Sequence, residues 1–502
     1  MPFPEILLRI CGRKTPEAIS MLRLGVKYAA IALTVSSSPR NHLAAAQLLR
    51  LVSKLHGTRN LLFRLDEWKF ILGAFTGTSG SGRIENALCV RFSSNTLFKG
   101  KTIRMVSESM FRSALFSSDD QASSFSTVLN GIFRRTCVSS NATTSNISTD
   151  IKLLVSQCLR GMIACTTSHN ISIMIAACVS IFPKLAQILQ RFHHRRDIEM
   201  SAQQRVLCSI LKFLHGISEA LVPYVYTNKD FMKSFQDICM LCLNCFRIHH
   251  LPRVRSALSG KVDVADCKSV SAIVTLTYSI ASECVECEDP SAVLSLVSHC
   301  LQIVLPLVAV SDMQIPKLQK NMFALLRVMC ESSRGAAAFV SMDTNSFSAL
   351  GRCLIFGTEH NNTEAIVDAY RAIRGLASFR IQSPSSSSLL DGFLSQLLQR
   401  ILDLASRNRL PQGTALDSAS NALLLLVAIG QVPYRNLVLG FLNHQRSKDP
   451  SSVQRLSQSF TLLTQGVDLR LNAVWSNRRN RSVFLENLKK FMFDVQGFME
   501  VK

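Results

Sequence analysis

Apolar residues recur along this chain at helical spacing, one amphipathic stretch after another with short polar breaks, and almost nothing reads as a strand. From Asp150 onward the spacing predicts helices over 150–165, 171–191, 199–221, 229–248, 264–282, 291–309, 317–331, 345–356, 363–379, 388–407, 414–429, 433–444, 451–464 and 481–498. Their starts fall about 15–30 residues apart, so a pair takes about 40, close to the HEAT and armadillo period. Such helices are marginal alone, and stacking on neighbours is what buries their stripes. The expected fold class is all-α, an α–α superhelical solenoid of the HEAT or armadillo type.

The first part of the chain follows the same pattern less regularly. Pro16 to Leu33 reads as a helix with Pro at its start, and Asn41 to Leu55 as a second with Asn41 as its cap. Gly77 to Gly82 is a loop, and Lys101 to Leu115 pairs with Ala122 to Cys137. Ser139 to Thr149 is rich in Ser, Thr and Asn and reads as a linker. The expected organisation is helical repeats over 1–138, a linker over 139–149 and HEAT-like repeats over 150–502, with 451–502 as terminal capping helices. Met1-Pro-Phe-Pro-Glu-Ile-Leu-Leu begins in apolar sequence without a polar capping helix, so the chain is expected to continue a longer array.

At 502 residues the chain exceeds one ordinary core, which stops growing near about 250–300. Phe is the dominant aromatic, 28 against 6 Tyr and 2 Trp, and suits helix packing that offers no partner for a hydroxyl or indole N–H. The net charge is +22, from 56 Lys and Arg against 34 Asp and Glu, which favours acidic proteins, nucleic acid or anionic surfaces as partners. Short clusters stand out at Arg191–Arg196, Arg253–Arg255 and Arg478–Arg481. A solvated basic surface explains them as it stands, and Arg191, Arg195, Arg196, Arg478, Arg479 and Arg481 are the candidates for a partner surface. The most apolar runs are Ile171 to Leu189, interrupted by Pro183-Lys184, and Leu423 to Ile429, too short to span a bilayer. Both read as buried solenoid helices, with no membrane insertion.

Cys239, Cys242 and Cys245, followed by His249 and His250, have the spacing of a metal motif. They lie within one apolar helical stretch, where a metal knuckle would need a turn, so they read as core cysteines. Cys284 and Cys287 form a second such pair. No nucleophile elbow, phosphate-binding glycine loop, dinucleotide fingerprint or metalloprotease helix occurs. The expectation is a binding protein rather than an enzyme, with no catalytic residue, metal or cofactor.

Near the C-terminus the residues Gln454-Arg455-Leu456, Phe460, Leu463-Thr464, Phe484, Leu488, Phe491-Met492, Val495, Gly497 and Val501-Lys502 form a pattern. It resembles the C-terminal end of nuclear export receptors of the importin-β, or karyopherin, superfamily. The resemblance implies a receptor that binds protein cargo with Ran-GTP, crosses the nuclear pore through nucleoporin Phe-Gly repeats and shuttles between nucleus and cytoplasm. It also suggests the hypusine-bearing translation initiation factor as cargo. Ran's main contact in such receptors lies in N-terminal repeats that this chain is expected to lack. The alternative is a helical-repeat scaffold without a transport role, binding acidic proteins or RNA through its basic patches.

Overall fold

The computed structural model describes residues 16–35, 38–54, 65–76, 100–115, 125–126, 128–129, 159–193, 200–225, 228–252, 254, 268–285, 291–308, 316–383, 388–471, 474 and 477–499. Among these, every regular element is a helix. The expected loop at Gly77–Gly82, linker at 139–149 and most of the helix at 122–137 lie outside the described residues. Contacts group the chain into two compact units, Met1–Pro252 and Arg253–Lys502.

In the first unit, α1 (Pro16–Val35) packs on α2 (Pro39–Lys54) and α3 (Asp66–Thr76), and α2 packs on α4 (Gly100–Ala114). Helix α2 starts at Pro39, so Asn41 is not its cap. Proline fits the first helical position, where its missing N–H is unneeded and its φ is preset. At the α2–α4 contact Glu108 is buried among three cations: Arg50 Nε at 2.8 Å, Lys54 Nζ at 3.9 Å and Arg112 Nη2 at 3.2 Å. The Arg50 contact is a close ion pair without hydrogen-bond geometry. Arg112 also donates to the Ala164 carbonyl at 3.2 Å, tying in the segment around 159–165. Gly161 permits that approach, because a Cβ there would come within 2.7 Å of the Arg104 carbonyl oxygen.

Helices α5 (Ile171–His193), α6 (Met200–Ala220) and α7 (Lys229–Cys245) then pack on one another. Helix α5 runs unbroken through Pro183. Pro183 is exposed and Val179, one turn earlier, is 39% exposed, so water can take the hydrogen bond that proline withholds. The helix expected over 171–191 is thus found, continuous through Pro183. By length and composition Ser168–Gln190 and Gln203–Tyr224 could cross a membrane; here α5 and α6 pack against each other and α7.

The second unit stacks helices in two layers. One layer runs α8 (Lys268–Cys284), α10 (Pro316–Glu331), α13 (Thr363–Gln382), α15 (Thr414–Ile429) and α18 (Arg478–Met499), each against the next. The other runs α9 (Ser291–Val308), α12 (Thr344–Thr358), α14 (Ser388–Ser406) and α16 (Gln431–Lys448). Helices α8 and α9, α12 and α13, and α14 and α15 join the layers as consecutive packed pairs, as in HEAT-like repeats. A short α11 (Ser333–Val340) is inserted after α10, and α17 (Val453–Leu463) packs on α16 and α18. Side chains set several starts: Ser332 accepts from Gly335 N–H, Asp343 from Ser346 N–H, and Asn362 from Glu364 and Ala365 N–H.

Helices α10 and α13 approach closely because residue 375 is glycine; a Cβ there would run into the Cys330 carbonyl. Across that contact Lys320 Nζ meets Glu364 at 2.6 Å, Arg327 Nε meets Asp368 at 2.9 Å and Arg374 Nη2 meets Glu331 at 2.6 Å. Of the apolar stripe expected on the terminal pair, Leu456, Phe460, Leu463, Phe484, Leu488, Phe491, Met492 and Val495 are buried, Val453 is half-buried, and the Phe498 side chain lies outside what is described. The Phe460 and Phe491 rings lie 4.9 Å apart.

Candidate partner-binding site

The link between α17 and α18 determines where the last arginine cluster points. Gly466 turns it with a positive φ of 72°. Asn480, buried, donates to the Asp468 carbonyl at 3.0 Å, and Asn487 donates to the Gln465 carbonyl at 2.8 Å. Arg470 Nη2 sits 2.5 Å from Asp468 and holds its carboxyl down at about 2. Asn477 accepts from the Arg479 N–H at 2.9 Å and so caps α18. That cap starts the helix three residues earlier than its apolar pattern indicates.

Arg478, Arg479 and Arg481 therefore stand in the first turn, exposed, with no acidic residue beside them in that turn. The positive end of the helix dipole disfavours cations there. None of the three has a carboxylate partner among the described residues.

Arg481 borders a cavity of about 410 Å³ on the layer formed by α10, α13 and α15. Gly375, Leu424, Leu425 and Val474 supply its apolar wall, and Glu331, Arg374, Ser378 and Asn421 supply polar groups. Glu331 is already engaged, by Arg374 at 2.6 Å and by Arg327 at 3.3 Å. Ser378 donates to the Arg374 carbonyl at 2.7 Å. The half-buried Asn421 amide has no partner among the described residues. Close by, burial pushes the Asp368 carboxyl up against the opposing pull of Arg327 and Arg371. The cavity thus combines one engaged carboxylate with an uncommitted guanidinium and an uncommitted amide.

The other candidates fall elsewhere. Arg191 lies in the last turn of α5, and Arg195 and Arg196 lie outside the described residues. Cys239, Cys242 and Cys245 are buried along α7, which runs into a π-helical turn at Phe246–His250. Burial raises the Cys245 thiol to about 11 and the Cys239 and Cys242 thiols further, opposing the thiolate that a metal needs. Sequence reasoning singled out Arg481 but missed Arg374, Ser378 and Asn421. Nothing in their local sequence separates them from other polar positions on a helix.

No family model matches the chain. Over 219 residues it is 22% identical to exportin-4 of Dictyostelium discoideum, covering 42% of this chain. In sequence it is similar to an exportin. The match spans 18% of that protein's length. Among solved structures, a chain from a complex of Kap95p with RanGDP aligns with 98% of this chain and 58% of its own length. Identity there is 13% and the TM-score 0.32, a likeness too slight to build on.

Proposed function

We propose that this chain is part of a nuclear transport receptor of the exportin type, binding protein cargo together with Ran-GTP. The observation that carries this reading is the sequence similarity to exportin-4. The two-layer helix stack suits it, because such stacks offer an extended face to macromolecules. In this reading cargo and Ran-GTP favour the same curvature, so each tightens binding of the other. The hypusine-bearing translation initiation factor is the cargo the C-terminal resemblance suggests. For pore passage, a shallow groove lined by Ala428, Ile429, Val432, Pro433 and Leu471 offers apolar surface to a Phe-Gly side chain. The protein would shuttle between nucleus and cytoplasm, and its chemistry would be binding rather than catalysis.

The rival is a scaffold that binds acidic proteins or RNA, favoured by the net charge of +22. Bleaching one nucleus of a cell fusion expressing the tagged chain separates the two. A transport receptor refills the bleached nucleus from its neighbour. A chain that stays in its compartment, and binds RNA with steep salt dependence, contradicts the transport reading.

A further inference from the structure

We propose that the cavity between α10, α13, α15 and the start of α18 docks an acidic peptide segment of a partner protein, with one carboxylate held by Arg481 and Asn421. Among the described residues these two groups have no partner, although they border the same cavity of about 410 Å³. Arg374 stands on the same lining, fixed by Glu331 at 2.6 Å, and adds positive field without being free to collapse onto the ligand. Arg478 and Arg479, exposed in the same first turn, extend the attraction outward and would steer an acidic segment toward the cavity.

The chemistry selects a carboxylate over other anions. A guanidinium and a primary amide on the lining of one cavity both offer N–H donors, which a carboxylate accepts with its two oxygens. A phosphate would bring a second negative charge next to Glu331, which lines the same space. Stacking of single-stranded bases would use an aromatic face, and no aromatic side chain is in the lining. Leu424, Leu425 and Val474 instead offer an apolar wall, suited to an aliphatic side chain next to the acidic one. The occupant is thus an acidic segment in which Glu or Asp residues are interspersed with aliphatic ones.

This inference does not rest on the transport reading. The assay contains no GTPase, so either can fail alone. A fluorescein-labelled peptide of repeated Glu-Glu-Leu units is titrated with the full chain and followed by anisotropy. Wild type should bind it. Arg481→Glu should weaken binding by about tenfold or more, and Arg481→Gln and Asn421→Ala should weaken it less. Arg481 is exposed, so thermal unfolding should be unchanged in these variants. The control is Arg352→Glu, an exposed arginine on α12 in the other layer, with the same change in net charge. Loss of binding there equal to that of Arg481→Glu would overturn the proposal. So would equal binding of a Gln-Gln-Leu peptide, no binding by wild type, or displacement of the peptide by single-stranded RNA.

Discussion

Glu108→Ala should destabilise the Met1–Pro252 unit by about 3 kcal/mol, the lower end for breaking a buried ion cluster. The side chain is 3% exposed, and it pairs with Arg50, Lys54 and Arg112 at once. Removing it leaves three like charges facing one another. Arg50 and Lys54 reach solvent, at 37% and 44% exposure, so they recover part of the loss. Arg112, at 13%, cannot do so as readily. Glu108→Gln keeps the shape and should cost less. Urea unfolding gives the free energy, and hydrogen exchange should rise first in α2 and α4. Unfolding of Glu108→Ala at the wild-type midpoint would mean that the cluster does not hold those helices together.

Gly375→Val should cost about 3 kcal/mol, the upper range for overpacking. The obstacle is the backbone carbonyl of Cys330, which cannot rotate away as a side-chain end would. To admit the side chain, α10 and α13 must separate, and the Arg374–Glu331 pair beside them is strained at the same time. The variant should therefore also weaken binding of the Glu-Glu-Leu peptide, because Arg374 and Ser378 move with α13. Gly392 on α14 is the matched control: a Cβ there meets nothing within 4 Å. Gly392→Ala should stabilise by roughly 0.5–1 kcal/mol through helix propensity. Similar unfolding midpoints for Gly375→Val and Gly392→Ala would contradict the close approach.

Helices with a long apolar stripe were legible in the sequence. The stretches 363–379 and 414–429 appear as Thr363–Gln382 and Thr414–Ile429, because burial of the stripe decides both period and extent. The terminal stripe from Leu456 to Val495 was legible for the same reason. Helix α11 was not: Gly335 and the run Ala336–Ala338 carry little stripe, and its cap Ser332 resembles any loop serine. Helix α3 is 11 residues long, and its clearest sign is Asp66-Glu67 in the first turn, which the apolar pattern does not weigh.

Pro183 did not hide α5, because the apolar spacing over 171–191 continues through it. The cavity was illegible for a deeper reason. Gly375, Ser378, Asn421 and Arg481 come from three helices, and only the stacking order makes them neighbours. Their types are ordinary, and their meaning lies in the space between helices.

Nucleotide-dependent binding of Ran tests the proposed transport role of this helical stack most directly. The purified chain is immobilised and exposed in turn to Ran loaded with a non-hydrolysable GTP analogue and to Ran-GDP. A transport receptor should retain the GTP form and little of the GDP form. Equal retention of both, or retention of neither while RNA binds in low salt, would contradict it.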